Sequence, residues 1–162
     1  MAMHMKHTSA PLARYLAIAY ALLVAYASLH PLTGWRDNGV PVFDYLGAAW
    51  PRYYTGFDLA ANILAYLPLG FLLVPALQGR LGIAAAALIA ALAGGGLGFV
   101  LETLQNFLPS RVPSNIDLAC NAIGAMIGAA AGMNWGRALT DGGHLHRLRT
   151  RLAVDGPAAD FG

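Results

Sequence analysis

Hydrophobic residues run along the chain in four long segments, which are separated by loops that contain proline, glycine or aromatic residues. A bilayer core about 30 Å thick is crossed by about 20 helical residues, and the segments 12–29, 57–77, 81–101 and 116–133 approach or reach that length. They predict four membrane-spanning helices in one compact all-α bundle. With 11% charged residues, against about a quarter in soluble domains, the composition excludes an ordinary soluble fold.

The predicted membrane domain covers residues 12–134, and the flanking segments have a different character. Residues 1–11 and 154–162 have no hydrophobic pattern and are predicted to be disordered. Residues 135–153 contain HLHRLRTRL, in which leucines and basic residues fall on different sides of a helix. This pattern predicts a basic amphipathic helix that binds anionic lipid at the cytoplasmic face. No nucleic-acid-binding motif accompanies it, and we expect no nucleic-acid partner.

The first apolar segment fits two interpretations. A positive start, an apolar run of about 15 residues and the pair Ala25-x-Ala27 are also typical of a cleavable signal peptide. A retained helix instead gives an even number of spans, with both termini on one side of the membrane. We predict a retained helix, because alanine-rich sequence produces Ala-x-Ala by chance.

Basic residues are divided unequally between the two ends of the predicted bundle. Seven are predicted to lie at the end of the bundle that holds both termini: Lys6, Arg14, Arg80, Arg137, Arg147, Arg149 and Arg151. Three are predicted to lie at the opposite end: Arg36, Arg52 and Arg111. Because lysine and arginine are enriched in cytoplasmic loops, both termini are predicted to be cytoplasmic in a bacterial inner membrane. The opposite end then faces outward.

Two stretches of the sequence repeat each other, TGFDLAANI from Thr55 and SNIDLACNAI from Ser114. Their shared Asp-Leu-Ala-x-Asn core supplies Asp58 and Asn62 in the first copy, and Asp117 and Asn121 in the second. Because both copies enter the membrane from the same end, they predict two tandem helical hairpins related as a parallel repeat. The two Asp-x-x-x-Asn pairs are expected to face each other.

Helix capping offers a structural explanation for part of this repeat. Thr55-x-x-Asp58 and Ser114-x-x-Asp117 both fit the capping box, in which a hydroxyl and an acid satisfy the first amides of a helix. The asparagines lie one turn deeper, where an amide without a partner is costly. Hydrogen bonding between helices and ligand binding both remain open for them.

Small residues recur on the third and fourth predicted helices at steps of four. Such stripes let helix backbones approach closely in a membrane. Gly94 and Gly98 precede Glu102 on one face of the third helix, and Gly128 and Gly132 follow Asn121 on the fourth. We therefore expect Glu102, Asp117 and Asn121 to point into the bundle and not toward lipid.

Polar residues are scarce in the predicted spans and gather at the outward end of the bundle. An ionisable residue in that position indicates a functional site, because burying it is unfavourable without partners. The candidate site residues are Asp58, Asn62, Glu102, Gln105, Arg111, Ser114, Asp117 and Asn121. His30 has no second histidine or cysteine spaced to form a zinc site with it, and we expect no metal or other cofactor.

Three kinds of function fit these residues. In a binding protein, Arg111 would pair with an anionic group of a membrane lipid or lipid-linked envelope precursor, and the neutral polar side chains would supply hydrogen bonds. In an enzyme, Glu102 would act as a general acid or base, with Asp117 as a second catalytic residue and Arg111 stabilising the developing charge. In a structural or accessory subunit, the polar residues would hold helices together, in an oligomer or with a partner subunit.

The series of motifs resembles the VanZ-like family of small membrane proteins over residues 12–134. The similarity rests on Asp58-x-x-x-Asn62, on Glu102-x-x-Gln105 followed by Leu-Pro-x-Arg111, and on Ser114-x-x-Asp117-x-x-x-Asn121. It implies an envelope protein, since the founding member is associated with resistance to teicoplanin-type glycopeptides. The resemblance supplies no mechanism.

Overall fold

Helices form the regular secondary structure of the part of the chain that the structure, a computed structural model, describes: residues 9–50 and 53–140. The elements are α1 (Ser9–Leu29), α2 (Asp44–Gly47), α3 (Gly56–Leu81), α4 (Ile83–Gln105) and α5 (Asn115–Thr140). Four of them, all except the single turn α2, are long and apolar enough to cross a membrane. The predicted all-α fold with four spans is confirmed.

The connection between α3 and α4 is a single residue, Gly82. Its φ of 73° lies in the left-handed region that glycine adopts without steric cost. Its N–H donates to the carbonyl of Gln78 at 3.1 Å and so caps α3. The hydrophobic pattern predicts that the second span ends at residue 77 and that the third begins at residue 81. In the structure α3 continues to Leu81 and α4 begins at Ile83, so both helices are longer than their predicted spans and the turn between them is shorter.

Two other boundaries extend beyond their predicted positions. Helix α1 begins at Ser9, within the lead predicted to be disordered to residue 11, and α5 continues to Thr140, past the predicted end of the membrane domain at residue 134. Continuing a helix keeps backbone N–H and C=O groups paired, which a membrane favours. The rest of the predicted lead, residues 1–8, lies outside the described residues. So does the rest of the predicted amphipathic segment and tail, residues 141–162.

Helices α3 and α5 pack backbone against backbone. A Cβ added at Gly124 would clash with the carbonyl of Ile63, and one at Gly128 would clash with that of Leu67. The contact is mutual, because a Cβ at Gly70 of α3 would collide with the backbone of α5. The small-residue interface predicted for the last helix is confirmed.

The small-residue face of α4 is also buried. It comprises Ala86, Ala90, Gly94 and Gly98 and ends at Glu102. A Cβ added at Gly98 would lie 3.1 Å from the Cβ of Asn121, so α4 packs tightly against α5 at that level. Glu102 is 4% exposed and Asn121 is 3% exposed. The expectation that Glu102 and Asn121 point into the bundle is therefore confirmed.

Helix α1 lies against α3 and completes the bundle. The hydroxyl of Tyr20 donates to the carbonyl of Ala65 at 3.1 Å, and Nε of Arg14 donates to the carbonyl of Ala76 at 3.1 Å. Its other side exposes large apolar side chains, including Leu12, Ile18, Leu22 and Leu23. Such a continuous apolar surface is unfavourable in water and matches the lipid chains around a multi-pass membrane protein.

Candidate functional site

A polar cleft of about 470 Å³ opens at one end of the bundle, where α1 and α4 end and where α3 and α5 begin. Small residues, among them Ala27, Ala61 and Ala65, leave the space for it. Seven of the eight candidate residues line the cleft: Asp58, Asn62, Glu102, Gln105, Arg111, Asp117 and Asn121. The eighth, Ser114, is hydrogen-bonded to two of these.

Glu102 joins the end of α4 to the start of α5. Its Oε2 accepts a hydrogen bond from the backbone N–H of Ser114 at 2.9 Å. Ser114 directly precedes α5, where amides lack partners within the helix and the helix dipole favours a negative charge. Glu102 therefore has a structural partner, although a carboxylate has two oxygens and can accept further hydrogen bonds.

The first repeat copy forms the complete capping box at the start of α3. The N–H of Asp58 donates to Oγ1 of Thr55 at 3.2 Å, and the N–H of Thr55 donates to Oδ2 of Asp58 at 2.9 Å. The predicted capping role of Asp58 is thus confirmed. Asp58 is exposed at the mouth of the cleft.

The second copy departs from this pattern. Oγ of Ser114 accepts from the N–H of Asp117 at 3.4 Å, which is half of a capping box. Glu102 takes the place of the reciprocal acid. The carboxylate of Asp117 instead accepts from Nδ2 of Asn62 on α3 at 2.8 Å. The prediction that the Asp117 carboxylate completes a capping box is therefore wrong, because the N–H of Ser114 donates to Glu102 and not to Asp117.

The two asparagines of the repeat differ in their hydrogen bonding. Asn62 donates to Asp117 across the interface between α3 and α5, which is the interhelical bond considered from the sequence. Asn121 lies one turn deeper than Asp117, and its Oδ1 is buried without a hydrogen-bond partner among the described residues. Both asparagines line the cleft. The parallel symmetry of the repeat stays a prediction.

Arg111 and Gln105 cap the C-terminal end of α1. Nη2 of Arg111 donates to the carbonyls of Ala27 and His30, both at 3.0 Å, and Nε of Arg111 donates to that of His30 at 3.2 Å. Nε2 of Gln105 donates to the carbonyl of Ser28 at 3.2 Å. Carbonyls at a helix C-terminus lack partners and attract cations. Pairing of Arg111 with an anionic ligand stays a prediction.

The loop between α1 and α3 is fastened to the same end of the bundle by residues that the sequence does not single out. Nδ2 of Asn38 donates to the carbonyl of Asn106 at 2.9 Å, and Nδ2 of Asn115 donates to that of Ala48 at 2.7 Å. Asparagine is common in turns and loops, so these residues do not stand out in the sequence. They hold this loop against the end of α4 and the start of α5.

Within residues 9–50 and 53–140, no three His, Cys, Asp or Glu side chains lie close enough together to hold one metal ion. The cleft is lined by carboxylates, amides, the serines Ser28 and Ser110 and one guanidinium group, together with small apolar residues.

Fold and cleft together define a class: small multi-pass membrane proteins in which four helices enclose a polar cleft at one end of the bundle. A family model described as VanZ/LLP1 matches residues 8–135, and the chain belongs to this family. The match confirms the resemblance seen in the motifs. Neither the comparison with curated proteins nor the comparison with solved structures gives a match.

Proposed function

We propose that this VanZ-like protein lies in the bacterial inner membrane with both termini in the cytoplasm, and that its cleft faces outward and binds the head group of an envelope amphiphile. The amphiphile is a membrane lipid or a lipid-linked envelope precursor. The position of the cleft supports this proposal, because it lies at the ends of the spans, where lipid head groups are found. Lysine and arginine counts support the orientation.

One observation carries the proposal: a polar side chain in the cleft is buried without using its hydrogen-bonding capacity. Oδ1 of Asn121 has no partner in the part of the chain that the structure describes, and a buried acceptor left unpaired costs about 1–3 kcal/mol. A purely structural role would favour an apolar side chain at this position. A cleft of about 470 Å³ also falls within the range of about 300–1,000 Å³ that is usual for ligand pockets.

A structural or accessory subunit is the second candidate, and specific contacts favour it. The hydrogen bonds of Glu102, Asn62 and Arg111 all hold one helix or loop to another. These contacts explain why three candidate residues are present without any ligand. They do not explain Asn121, and for that reason we place binding first.

Two finer hypotheses stay predictions. Catalysis would use Glu102 and Asp117 as acid and base, and both carboxylates line the cleft in which binding is proposed. A role in resistance to teicoplanin-type glycopeptides rests on the family resemblance. Both depend on the cleft first binding an envelope molecule.

The test is to identify what copurifies with the full-length protein from its native membranes. Lipids extracted from the purified protein and from an Ala61→Phe variant would be compared by mass spectrometry. Ala61 lines the cleft, so the phenyl ring of the variant fills the space without removing a polar group. The matched control is Ala93→Phe, because Ala93 is an exposed residue of α4 that does not line the cleft.

We expect one amphiphile to be enriched on the wild-type protein and on the control, and to fall about tenfold on Ala61→Phe, equivalent to about 1.4 kcal/mol of binding free energy. Equal lipid profiles for all three proteins would reject head-group binding in the cleft. The structural-subunit candidate would then stand first.

A further inference from the structure

A groove of about 340 Å³ lies between α1 and α3, at the end of the bundle opposite the polar cleft. Small residues on both helices leave room for it and larger apolar side chains border it: Ala17, Ile18, Ala21, Leu73, Ala76 and Leu77. Among the described residues that line the groove, Arg14 alone is charged. The groove is therefore apolar along its length and cationic at one end.

The charged end of the groove is the end nearest the membrane surface. Arg14 lies near the start of the span Leu12–Leu29, and Leu77 lies near the end of the span Gly56–Gly79. From Arg14 the groove extends along α1 to Ala21, about 10 Å at 1.5 Å per residue. Since half of a bilayer core is about 15 Å thick, the groove lies within one leaflet. A phospholipid has the same arrangement, with a charged head at the surface and an apolar chain below it.

The guanidinium group of Arg14 is fixed at this end of the groove. Its Nε donates to the carbonyl of Ala76 at 3.1 Å, and the side chain is half-buried. An arginine that only sets membrane orientation extends toward water, whereas this one is held by the neighbouring helix. Arginine has five N–H donors, and the hydrogen bonds of this side chain to the described residues use Nε alone. The N–H groups of Nη1 and Nη2 therefore stay available, and a phosphate can accept two of them side by side.

Charges of the described residues are separated between the two ends of the bundle. The acids all lie in the loop after α1 or at the cleft end of a helix: Asp37, Asp44, Asp58, Glu102 and Asp117. At the groove end, residues 9–50 and 53–140 contain Arg14, Arg80 and Arg137 and no aspartate or glutamate. The described part of the chain thus offers Arg14 no carboxylate partner.

We infer that this groove binds an anionic phospholipid, with the phosphate on the guanidinium group of Arg14 and an acyl chain between α1 and α3. Basic pockets between membrane helices are known to bind anionic head groups. A zwitterionic lipid would also bring an ammonium group, for which the described residues at this end supply no carboxylate. The site is separate from the polar cleft and does not depend on the proposed function.

A second copy of the chain fits the groove less well than a lipid does. A helix of a second copy, inserted in the same direction, would have its described acids at the cleft end and not at the level of Arg14. The guanidinium group would then gain no anion from these residues. A lipid supplies both the anion and the chain that fills the groove.

The test is native mass spectrometry of the full-length protein in a non-ionic detergent, with equal amounts of three lipids that share their acyl chains. The lipids are phosphatidylglycerol, phosphatidylethanolamine and phosphatidylcholine. We expect phosphatidylglycerol to bind about tenfold more strongly than either zwitterionic lipid. Excess glycerol phosphate should not displace it, because the soluble anion has no chain for the groove. Equal binding of the three lipids, or displacement by glycerol phosphate, would overturn the inference.

Two variants locate the site. Arg14→Gln removes the charge and keeps a side-chain N–H donor, whereas Ala21→Leu fills the groove with Arg14 in place. Each should lower phosphatidylglycerol binding about tenfold. The matched controls are Arg36→Gln, in the exposed loop at the other end, and Ala19→Leu, on an exposed position of α1 outside the groove. Both controls should bind the lipids as the wild type does.

Unchanged phosphatidylglycerol binding in either site variant, in a protein that melts normally, would overturn the inference, and if one variant does not fold the other decides. An equal loss in Arg36→Gln would show that net charge attracts the lipid, and would also overturn it. A lipid-free dimer that Ala21→Leu dissociates would assign the groove to a second copy instead. Ala61→Phe should keep the binding that Arg14→Gln removes, and its loss there would place the lipid in the polar cleft.

Discussion

Asn62 of α3 donates a hydrogen bond to the carboxylate of Asp117 of α5 at 2.8 Å, and so joins the two copies of the sequence repeat across the most closely packed interface of the bundle. Each residue belongs to an Asp-x-x-x-Asn pair of its own copy. Asp117 can accept this bond because the N–H of Ser114, which a capping box would pair with Asp117, donates to Glu102 instead.

The first prediction concerns the strength of this bond. Asn62→Ala and Asp117→Ala, made singly and together, should show a coupling free energy of about 0.5–2 kcal/mol, the range for polar contacts between membrane helices. The measurement is unfolding of the purified protein in a titration with denaturing detergent. Asn62→Ala combined with Asp44→Ala is the control pair, because Asp44 is an exposed acid of α2 outside the cleft, and its two effects should add. Additive effects in the Asn62 and Asp117 pair would contradict the assignment.

Helix caps give the second prediction. Thr55→Ala removes a full capping box and should destabilise the protein by about 1 kcal/mol. Ser114→Ala should cost less, because its Oγ accepts at the long distance of 3.4 Å while its N–H keeps the bond to Glu102. The same detergent titration compares them. A larger loss for Ser114→Ala than for Thr55→Ala would show that the second cap is worth more than its geometry indicates.

The features of the fold that the sequence predicted are those that depend on local pattern. Span length follows from hydrophobic runs, and the capping box at Thr55 needs residues only three positions apart. The small-residue faces of α4 and α5 were predictable because helical periodicity places Gly94, Gly98 and Glu102 on one side.

The features that the sequence did not predict depend on contacts between distant residues. Arg111 caps α1 although the bonded residues are more than 80 positions apart, and no local pattern pairs them. Likewise, nothing in the second copy reveals that Glu102, from the preceding helix, takes the Ser114 amide. The residues of the cleft could therefore be predicted as a group, whereas their individual hydrogen bonds could not.

The third prediction tests the contact between α3 and α5. Gly128→Ala places a methyl group against the carbonyl of Leu67 and should destabilise the protein by about 1–3 kcal/mol, as overpacking does. Gly96→Ala is the matched control, because a Cβ there meets nothing within 4 Å. It should be neutral or stabilising by up to about 1 kcal/mol, since alanine favours the helix. Thermal melts in detergent compare the two, and equal melting temperatures would contradict the close packing.

Membrane orientation gives the fourth prediction. A reporter that is active only outside the cytoplasm should be active when it is fused in the loop at Arg111. Fusions at the α3–α4 turn near Arg80 and at the C-terminus should be inactive, because this turn and the described end of α5 lie at the opposite end of the bundle. The reverse pattern would place the cleft on the cytoplasmic side and remove the envelope molecule from the proposal.

The measurement that decides between a binding cleft and a structural cluster is a density map of the protein, purified from its native membranes in a mild detergent and enlarged with a bound antibody fragment. We expect elongated density that reaches from the bilayer into the cleft and ends within hydrogen-bond distance, about 2.7–3.2 Å, of the side-chain amide of Asn121. A well-resolved map in which the cleft holds only isolated waters, or in which Asn121 bonds to a neighbouring helix, would contradict the binding function.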